Sequence, residues 1–237
     1  MRASAFLRVL VLFAACVSLA TSARAAVDGV PPASTDGASA APPARKAQPG
    51  LRLFAAIDFD QLAATKSFNA VLGTSHVVAF GGGADITDVW KHLFVRVAVT
   101  HASKDGSRVF VDNGEAFSLN IPITISWAPI EAGGGWRFQR GRSGHRTITP
   151  YVGGAFVLLD YKETSQFAQS SDNVSSHLGG AEGFGGVEVG LAKHLTASGE
   201  AQYRTVPNAI GAGGVSQDFG EKDLGGFTAR VLIGYRR

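Results

Sequence analysis

Hydrophobic and polar side chains alternate with a period of two residues through most of the chain after Gly50. The alternation is clearest between Phe117 and Trp127, where large apolar residues are interleaved with Ser, Asn, Pro and Thr. Successive side chains of a β-strand point to opposite faces of its sheet, so this period predicts strands. Eight such segments occur, at residues 51–59, 75–86, 93–100, 116–127, 148–161, 178–191, 195–204 and 227–236.

The number and length of these segments indicate a closed barrel. An even number of antiparallel strands can close without leaving an edge. Several segments run for ten to fourteen residues, whereas about 5–6 residues are usual in a strand and about 9–11 are needed to cross a membrane. Alternation alone leaves the direction of the apolar face open, because a soluble barrel or sandwich would also alternate, with its apolar face inside.

The spacing of aromatic residues favours an apolar face that points outward. Phe117 and Trp127 lie ten residues apart in one alternating set, and Tyr151 and Tyr161 repeat that spacing. Ten tilted residues span roughly 25 Å along a membrane normal, the height of the apolar band between two aromatic girdles. The predicted girdle residues are Phe59, Phe117, Trp127, Tyr151, Tyr161, Tyr203, Phe227 and Tyr235.

The connections also differ between the two ends of the predicted barrel. Those after strands one, three, five and seven are long, at about 60–74, 101–114, 162–177 and 206–225. Those after strands two and six are short, with 128–147 as a long exception on that side. This asymmetry is typical of outer-membrane barrels. We therefore predict an all-β fold, an eight-stranded antiparallel up-and-down transmembrane β-barrel over residues 50–237, with a local bulge at Pro122.

The face opposite the apolar one would line the interior of this barrel. This face contains charged residues of both signs, so that ion pairs can form there. The predicted polar network consists of Arg52, Asp58, Arg96, Glu182, Glu188, Glu200, Arg204 and Arg230. Eight strands leave an interior barely wide enough for side chains. A salt-bridged structural plug is the main interpretation, and a narrow or gated polar pore is the alternative.

The first 25 residues have the pattern of a secretory signal peptide. Two arginines precede an apolar stretch at 9–20, and Ala23-Arg24-Ala25 gives a small-x-small cleavage site. Residues 26–49 are rich in Ala, Pro, Ser and Gly, which predicts a disordered linker. Phe13-Ala14-Ala15-Cys16 loosely resembles a lipoprotein processing site, so lipidation of Cys16 stays an alternative.

Cleavage would change the charge and the available chemistry. Three of the 22 basic side chains and none of the 19 acidic ones precede the cleavage site, so the mature chain carries 19 of each. A nucleic-acid partner based on net charge is therefore not expected. The only cysteine, Cys16, lies inside the signal peptide. The mature chain would have no disulfide and no thiol nucleophile.

We predict no catalytic, cofactor-binding or metal-binding residues. The six histidines show no metal-binding spacing. The glycine clusters at 81–83 and 183–186 interrupt strand patterns and do not join a strand to a helix, so phosphate binding is not expected. The neighbours His101 with Ser103, and His76 with Ser75, are the only pairs that suggest hydrolytic chemistry.

Residues 50–237 thus resemble the small eight-stranded bacterial outer-membrane β-barrel proteins, the class of the OmpA transmembrane domain and OmpX. The stretch from Val206-Pro207-Asn208-Ala209 to Asp223-Leu224-Gly225-Gly226 looks like a recurrent segment of uncharacterised bacterial barrels. The resemblance implies location in the outer membrane, contact with its lipid and an unknown extracellular ligand. It also implies recognition of the last strand by the barrel-insertion machinery, with Tyr235 as the late aromatic, although the chain ends in Arg236-Arg237.

The function expected from this resemblance is non-enzymatic. The chain would be a structural or surface-binding barrel with four long loops. Two alternatives stay open: a lipid-modifying barrel enzyme, and a soluble periplasmic barrel that binds a small apolar ligand.

Overall fold

A computed structural model describes residues 49–138, 147–167, 173–212 and 214–237. The predicted signal peptide, at 1–25, lies outside the described residues. The same is true of the predicted linker at 26–49, except for its last residue.

The described chain forms a closed barrel of eight antiparallel strands, each hydrogen-bonded to the strands before and after it in sequence. The strands are β1 Gly50–Leu62, β2 His76–Trp90, β3 Leu93–Asp112, β4 Glu115–Arg137, β5 Ile148–Thr164, β6 Val174–Gly190, β7 Leu195–Thr205 and β8 Gly226–Arg236. β1 pairs with β8 from Arg52↔Arg236 to Leu62↔Gly226, and this pairing closes the ring. The predicted eight-stranded up-and-down barrel is confirmed.

The connection predicted at 101–114 is wrong, because β3 and β4 continue as a two-stranded ribbon. The ribbon ends in a two-residue turn, Asn113-Gly114, whose φ angles are 50° and 84°. Two positive φ values are the signature of a type I′ hairpin turn, which matches the twist of the flanking strands. The ladder shifts register once, between Ser107, which pairs with Pro122, and Val109. Residues 119–121 of β4 thus lie opposite the single residue 108, and this irregularity is adjacent to Pro122, where the bulge was predicted.

The predicted connection at 128–147 is also wrong in its first half. β4 continues to Arg137 and pairs with β5 as far as Arg137↔Tyr151. The connection between β4 and β5 is therefore about half as long as predicted, and residues 139–146 of it lie outside the described residues. The end of the barrel that carries residues 91–92 and 191–194 is called the turn end from here on. The opposite end is the loop end.

Two of the loops at the loop end contain helices that the sequence pattern did not predict. α1, Thr65–Leu72, lies between β1 and β2, and α2, Gly214–Asp218, lies between β7 and β8. α1 ends at Gly73, whose φ of 72° is left-handed and whose N–H donates to the Asn69 carbonyl over 3.0 Å. In the described part of the chain, no helix is long and apolar enough to cross a membrane.

An apolar core fills the barrel at the loop end. α1 inserts Phe68 and Leu72 into it, and the Phe68 ring lies 6.3 Å from the Trp127 ring. The other buried members come from the strands and from the first and last loops: Leu62, Ala64, Val77, Ala79, Ala102, Ile123, Ile125, Leu159, Tyr161, Val206 and Leu224. α1 therefore covers the loop end of the barrel with apolar side chains.

Candidate functional site

All eight residues of the predicted polar network are buried, with relative exposures of 0 to 6%. They occupy inward positions on five strands, β1, β3, β6, β7 and β8. Their side chains alternate with exposed apolar neighbours such as Leu53 on β1 and Val231 on β8. Their contacts form one chain of ion pairs that extends from the turn end toward the apolar core. This chain is called the ionic network below.

At the turn end, the carboxylates of Asp85 and Glu188 each form ion pairs with more than one arginine. Arg52 Nη1 lies 3.1 Å from Asp85 Oδ2 and 2.9 Å from Glu188 Oε2. Arg137 Nη2 donates to Glu188 Oε1 over 2.6 Å, and Arg236 donates to the same oxygen. Each buried charge therefore has a partner of opposite sign, which desolvated ions require.

Arg96 occupies the middle of the ionic network and is enclosed by aromatic rings. Its Nε lies 2.8 Å from Asp85 Oδ1, and its Nη1 lies 2.6 Å from Glu200 Oε2. Four ring centroids lie 4.9–5.6 Å from its guanidinium carbon, those of Phe54, Phe94, Tyr151 and Phe184. Gly83 leaves the space for one ring, since a Cβ there would lie 2.7 Å from Phe54 Cζ. The rings add cation–π attraction to the ion pairs.

Glu131 is the centre of the network on the side of the apolar core. Its two carboxylate oxygens each accept a hydrogen bond from Arg230 at 2.8 Å, and Arg204 Nη2 donates to Oε1 over 2.9 Å. Arg230 also binds Asp58 at 2.6 and 2.8 Å, and Arg204 binds Glu182 at 2.8 and 3.0 Å. Paired guanidinium–carboxylate contacts of this kind fix geometry as well as charge.

Sequence reasoning did not place four further residues in the network: Asp85 and Glu131, each paired with two arginines, and Arg137 and Arg236 at the turn end. Glu131 and Arg137 were missed because the predicted strand ended at Trp127. The missing signal was present in the sequence, since both lie an even number of residues after Trp127. Extending the alternation would have placed these two charges on the same face as Trp127, and would have shown that this face is the interior.

Trp127 was wrongly placed in the outer girdle, because β4 changes polarity along its length. Trp127 is only 4% exposed and lies in the apolar core with Ile123 and Ile125. Further along the same face, Glu131 is 1% exposed and belongs to the ionic network. The buried pairing of Glu131 fixes which face of β4 points inward.

Tyr151 and Tyr161 of β5 were also wrongly placed in the girdle. Both are buried, at 3% and 5% exposure. The Tyr151 ring packs edge-on against Phe94 at 6.0 Å, and the Tyr161 hydroxyl donates to Glu163 over 2.6 Å. Most outward residues of this strand are also apolar, among them Val152, Phe156 and Leu158, and only the loop-end part carries the charged Asp160 and Lys162. Alternation did not distinguish the faces because both are apolar along most of the strand.

The other five predicted girdle residues are exposed by 47–61%: Phe59, Phe117, Tyr203, Phe227 and Tyr235. Phe117 lies on the ribbon, where β4 pairs with β3 and not yet with β5. Further large apolar residues exposed on the strands include Leu51, Leu53, Ile57, Val78, Phe80, Val95, Val99, Val187, Leu195 and Ile233. The apolar belt on the outside of the barrel consists of these ten residues, Val231 on β8, the three on β5 and the four exposed girdle residues outside the ribbon, Phe59, Tyr203, Phe227 and Tyr235.

The exterior becomes polar near the loop end. Ser103, Ser126, Lys162 and Ser175 are successive neighbours across β3, β4, β5 and β6, and each is exposed or half-buried. The interior at the same level is the apolar core around Trp127. The barrel is thus apolar outside and ionic inside along its belt, and polar outside and apolar inside at the loop end.

The residues weighed for chemistry are not brought together into a reactive group. His101 and Ser103 are both exposed on β3, whereas Ser75 is 3% exposed next to an exposed His76. Among the described residues there is no group of three His, Cys, Asp or Glu side chains that could hold a metal ion. Within this part of the chain, the densest assembly of polar groups is the ionic network.

Comparison with known proteins gives similarity in structure only. No family model matches the chain, and no curated protein does. The structure of Ail, the attachment invasion locus protein of Yersinia pestis, in complex with the heparin analogue sucrose octasulfate is 10% identical with a TM-score of 0.47, and the match covers 81% of this chain and 100% of that one. Neisserial surface protein A is 13% identical with a TM-score of 0.47, covering 79% and 95%. The N-terminal β-barrel domain of Pseudomonas aeruginosa OprF is 10% identical with a TM-score of 0.42, covering 80% and 100%.

Glu131 can be tested by removing its charge while keeping its shape. We expect Glu131→Gln to lower the free energy of unfolding by about 3 kcal/mol, because Arg204 and Arg230 lose a shared buried partner. Urea titration of the refolded barrel measures the change. The control is Asp160→Asn, which breaks the more exposed pair with Lys162 at 2.7 Å and should change stability by about 1 kcal/mol at most. Equal losses in both variants would contradict the central position of Glu131.

Proposed function

We propose that this chain is a non-enzymatic, non-conducting β-barrel of the bacterial outer membrane, with a structural or surface-binding role. The observation that carries the proposal is the apolar belt around a closed barrel whose charges lie inside. The proposal includes export by the predicted signal peptide, and insertion with β8 and Tyr235 as the assembly signal.

The apolar belt is the first argument for membrane insertion. Soluble monomers rarely expose a contiguous apolar patch larger than about 300–600 Å². Here the large aliphatic and aromatic side chains of the belt, exposed by 41–82%, occur on seven of the eight strands. Those of the remaining strand, Phe117 and Leu119 of β4, lie on the ribbon. A hydrocarbon environment would remove this surface from water.

The closure of the barrel is the second argument. Inside a bilayer every backbone N–H and C=O must find a partner within the protein. Because β1 pairs with β8, the strand ladder has no free edge at belt level. The shortest strands, β7 and β8, have 11 residues each, which meets the length of about 9–11 that a spanning strand needs.

The packing of the interior argues against conduction. The ionic network links charges across the barrel through contacts of 2.6–3.1 Å and one longer ion pair, Arg230 with Glu200 at 3.9 Å. The apolar core with α1 covers the loop end. An eight-stranded barrel has little room beyond its own side chains. The loops and the ribbon at the loop end would be the surface available to an extracellular ligand.

Membrane location can be tested by fractionating cells that express the full chain. We expect the protein in the outer-membrane fraction after a urea wash, because a spanning barrel cannot be extracted like a peripheral protein. Recovery in the soluble periplasmic fraction would contradict the proposal and favour the soluble alternative.

A charge placed on the apolar belt gives a second test. Val231 is 47% exposed near the middle of β8, between Ile57 and Gly199 on the neighbouring strands. We expect Val231→Arg to lower the free energy of unfolding in lipid vesicles by roughly 2–4 kcal/mol if this position faces hydrocarbon.

The control is Ser175→Arg near the loop end of β6, on the polar exterior of the barrel, where Ser175 is exposed. That position should change stability by about 0.5 kcal/mol or less, as for a water-exposed surface site. An equally small effect at Val231 would show that the belt faces water and would exclude a spanning barrel.

The closed interior can be tested with purified protein in planar lipid bilayers. We expect no steady conductance, since the ionic network and the apolar core leave no continuous aqueous path. Frequent, stable channel openings from pure protein would contradict the non-conducting part of the proposal and would favour the gated pore.

A further inference from the structure

A pocket of about 310 Å³ lies at the loop end, outside the ionic network and above the apolar belt. Its floor is formed by Phe68 of α1 together with Ile123 and Ile125 of β4. One wall comes from the ribbon, through Val109 and Leu119. α2 and the loop before it form part of the remaining boundary.

The elements that enclose the pocket are held in place by specific contacts. The Glu221 carboxylate accepts hydrogen bonds from the N–H groups of Lys66 and Ser67 at 2.9 and 2.8 Å, and from the Ser67 hydroxyl at 2.6 Å. These bonds attach α1 to the last loop. The Gly211 N–H donates to the Ser216 hydroxyl over 3.0 Å, which links α2 to the segment before it. Hydrogen bonds therefore hold the elements around the pocket in fixed positions.

The lining combines an apolar floor with a small polar margin. Leu119 lines this half-open pocket and is 50% exposed, so apolar surface remains uncovered there. Arg108 and Glu163 supply one positive and one negative charge at the margin, and the Tyr161 hydroxyl donates to Glu163. The margin thus has no net charge, and it offers no electrostatic preference for an anion or a cation.

From this lining we infer a binding site for a small uncharged amphiphile, a short hydrocarbon body with a hydroxyl or amide head. The hydrocarbon would cover the floor and the ribbon wall, and the head would lie among the polar groups of the margin. Ligand pockets of about 300–1,000 Å³ are usually apolar with a few polar groups that fix orientation, and this pocket is at the small end of that range. The site uses no residue of the apolar belt, so it does not depend on membrane location.

Trp127 provides a reporter for this site. The chain has three tryptophans, and the other two, Trp90 and Trp136, lie near the turn end. Trp127 is buried directly beneath the floor, next to the Phe68 ring at 6.3 Å. In a Trp90→Phe, Trp136→Phe variant, bromine bound in the pocket would quench the only remaining tryptophan by short-range contact.

The experiment titrates this variant, in nanodiscs or in buffer if the barrel proves soluble, with ω-bromo-octanol. We expect saturable quenching, and binding weaker by about tenfold or more for the matched ions ω-bromo-octanoate and ω-bromo-octyltrimethylammonium. A charged head loses more hydration than a hydroxyl, and the margin has no net charge to offset that loss. Quenching that rises linearly without saturation would overturn the inference. Equal or tighter binding of either ion would overturn the assignment to an uncharged ligand.

Substitutions on the ribbon test whether the amphiphile binds in this pocket. Val109→Phe fills the pocket from its wall and should abolish saturable quenching, and Leu119→Phe should do the same. Val111→Phe is the matched control, two residues nearer the hairpin turn and outside the pocket lining, and it should leave binding unchanged. Circular dichroism checks that each variant is folded. Unchanged binding in folded Val109→Phe and Leu119→Phe proteins would show that the amphiphile binds elsewhere.

Discussion

The contact of Glu131 with Arg204 and Arg230 is the constraint on which much of the barrel depends. A buried carboxylate without such partners would be strongly unfavourable, so this contact fixes both the register and the facing of β4. A slip of one residue would turn the whole set of side chains to the other face. Since Glu131 points inward, Ile123, Ile125 and Trp127 must point inward as well, and the interior acquires an apolar section that an entirely ionic lumen would lack.

That apolar section explains why the first loop contains a helix. Inward-facing Ile and Trp side chains at the loop end would be exposed to water if the barrel mouth were open. α1 removes them from water by inserting Phe68 and Leu72, and Glu221 holds the N-terminal end of this helix. Closure at the loop end is therefore a hydrophobic packing effect, whereas closure through the rest of the barrel comes from ion pairs. The two mechanisms act at different levels of one interior.

The strand number and the antiparallel order could be predicted from the alternation of apolar and polar residues. Much of the ionic network could be predicted because charged residues mark the inward face of several strands. Arg52 and Asp58 do this for β1, and Arg230 does it for β8. Between Phe117 and Trp127 the polar positions are uncharged, so either face could have been the inner one. In β5 both faces are mostly apolar. The ribbon was missed because the polar run 103–108 interrupts the alternation, whereas the chain turns only at Asn113-Gly114. α1 is too short for its apolar spacing to stand out.

The polarity reversal along β4 connects these observations with the proposed location. In its loop-end part, Thr124 and Ser126 point outward and Ile125 and Trp127 inward, the arrangement of a strand in a water-soluble protein. Nearer the turn end, Glu131 points inward while the outward side is apolar, the arrangement of a strand in lipid. If the apolar face is assumed to point outward along the whole strand, the assignment is therefore wrong for the loop-end half. The level at which the rule reverses, marked outside by Ser126 and Lys162, is where the proposed barrel would pass from hydrocarbon into water.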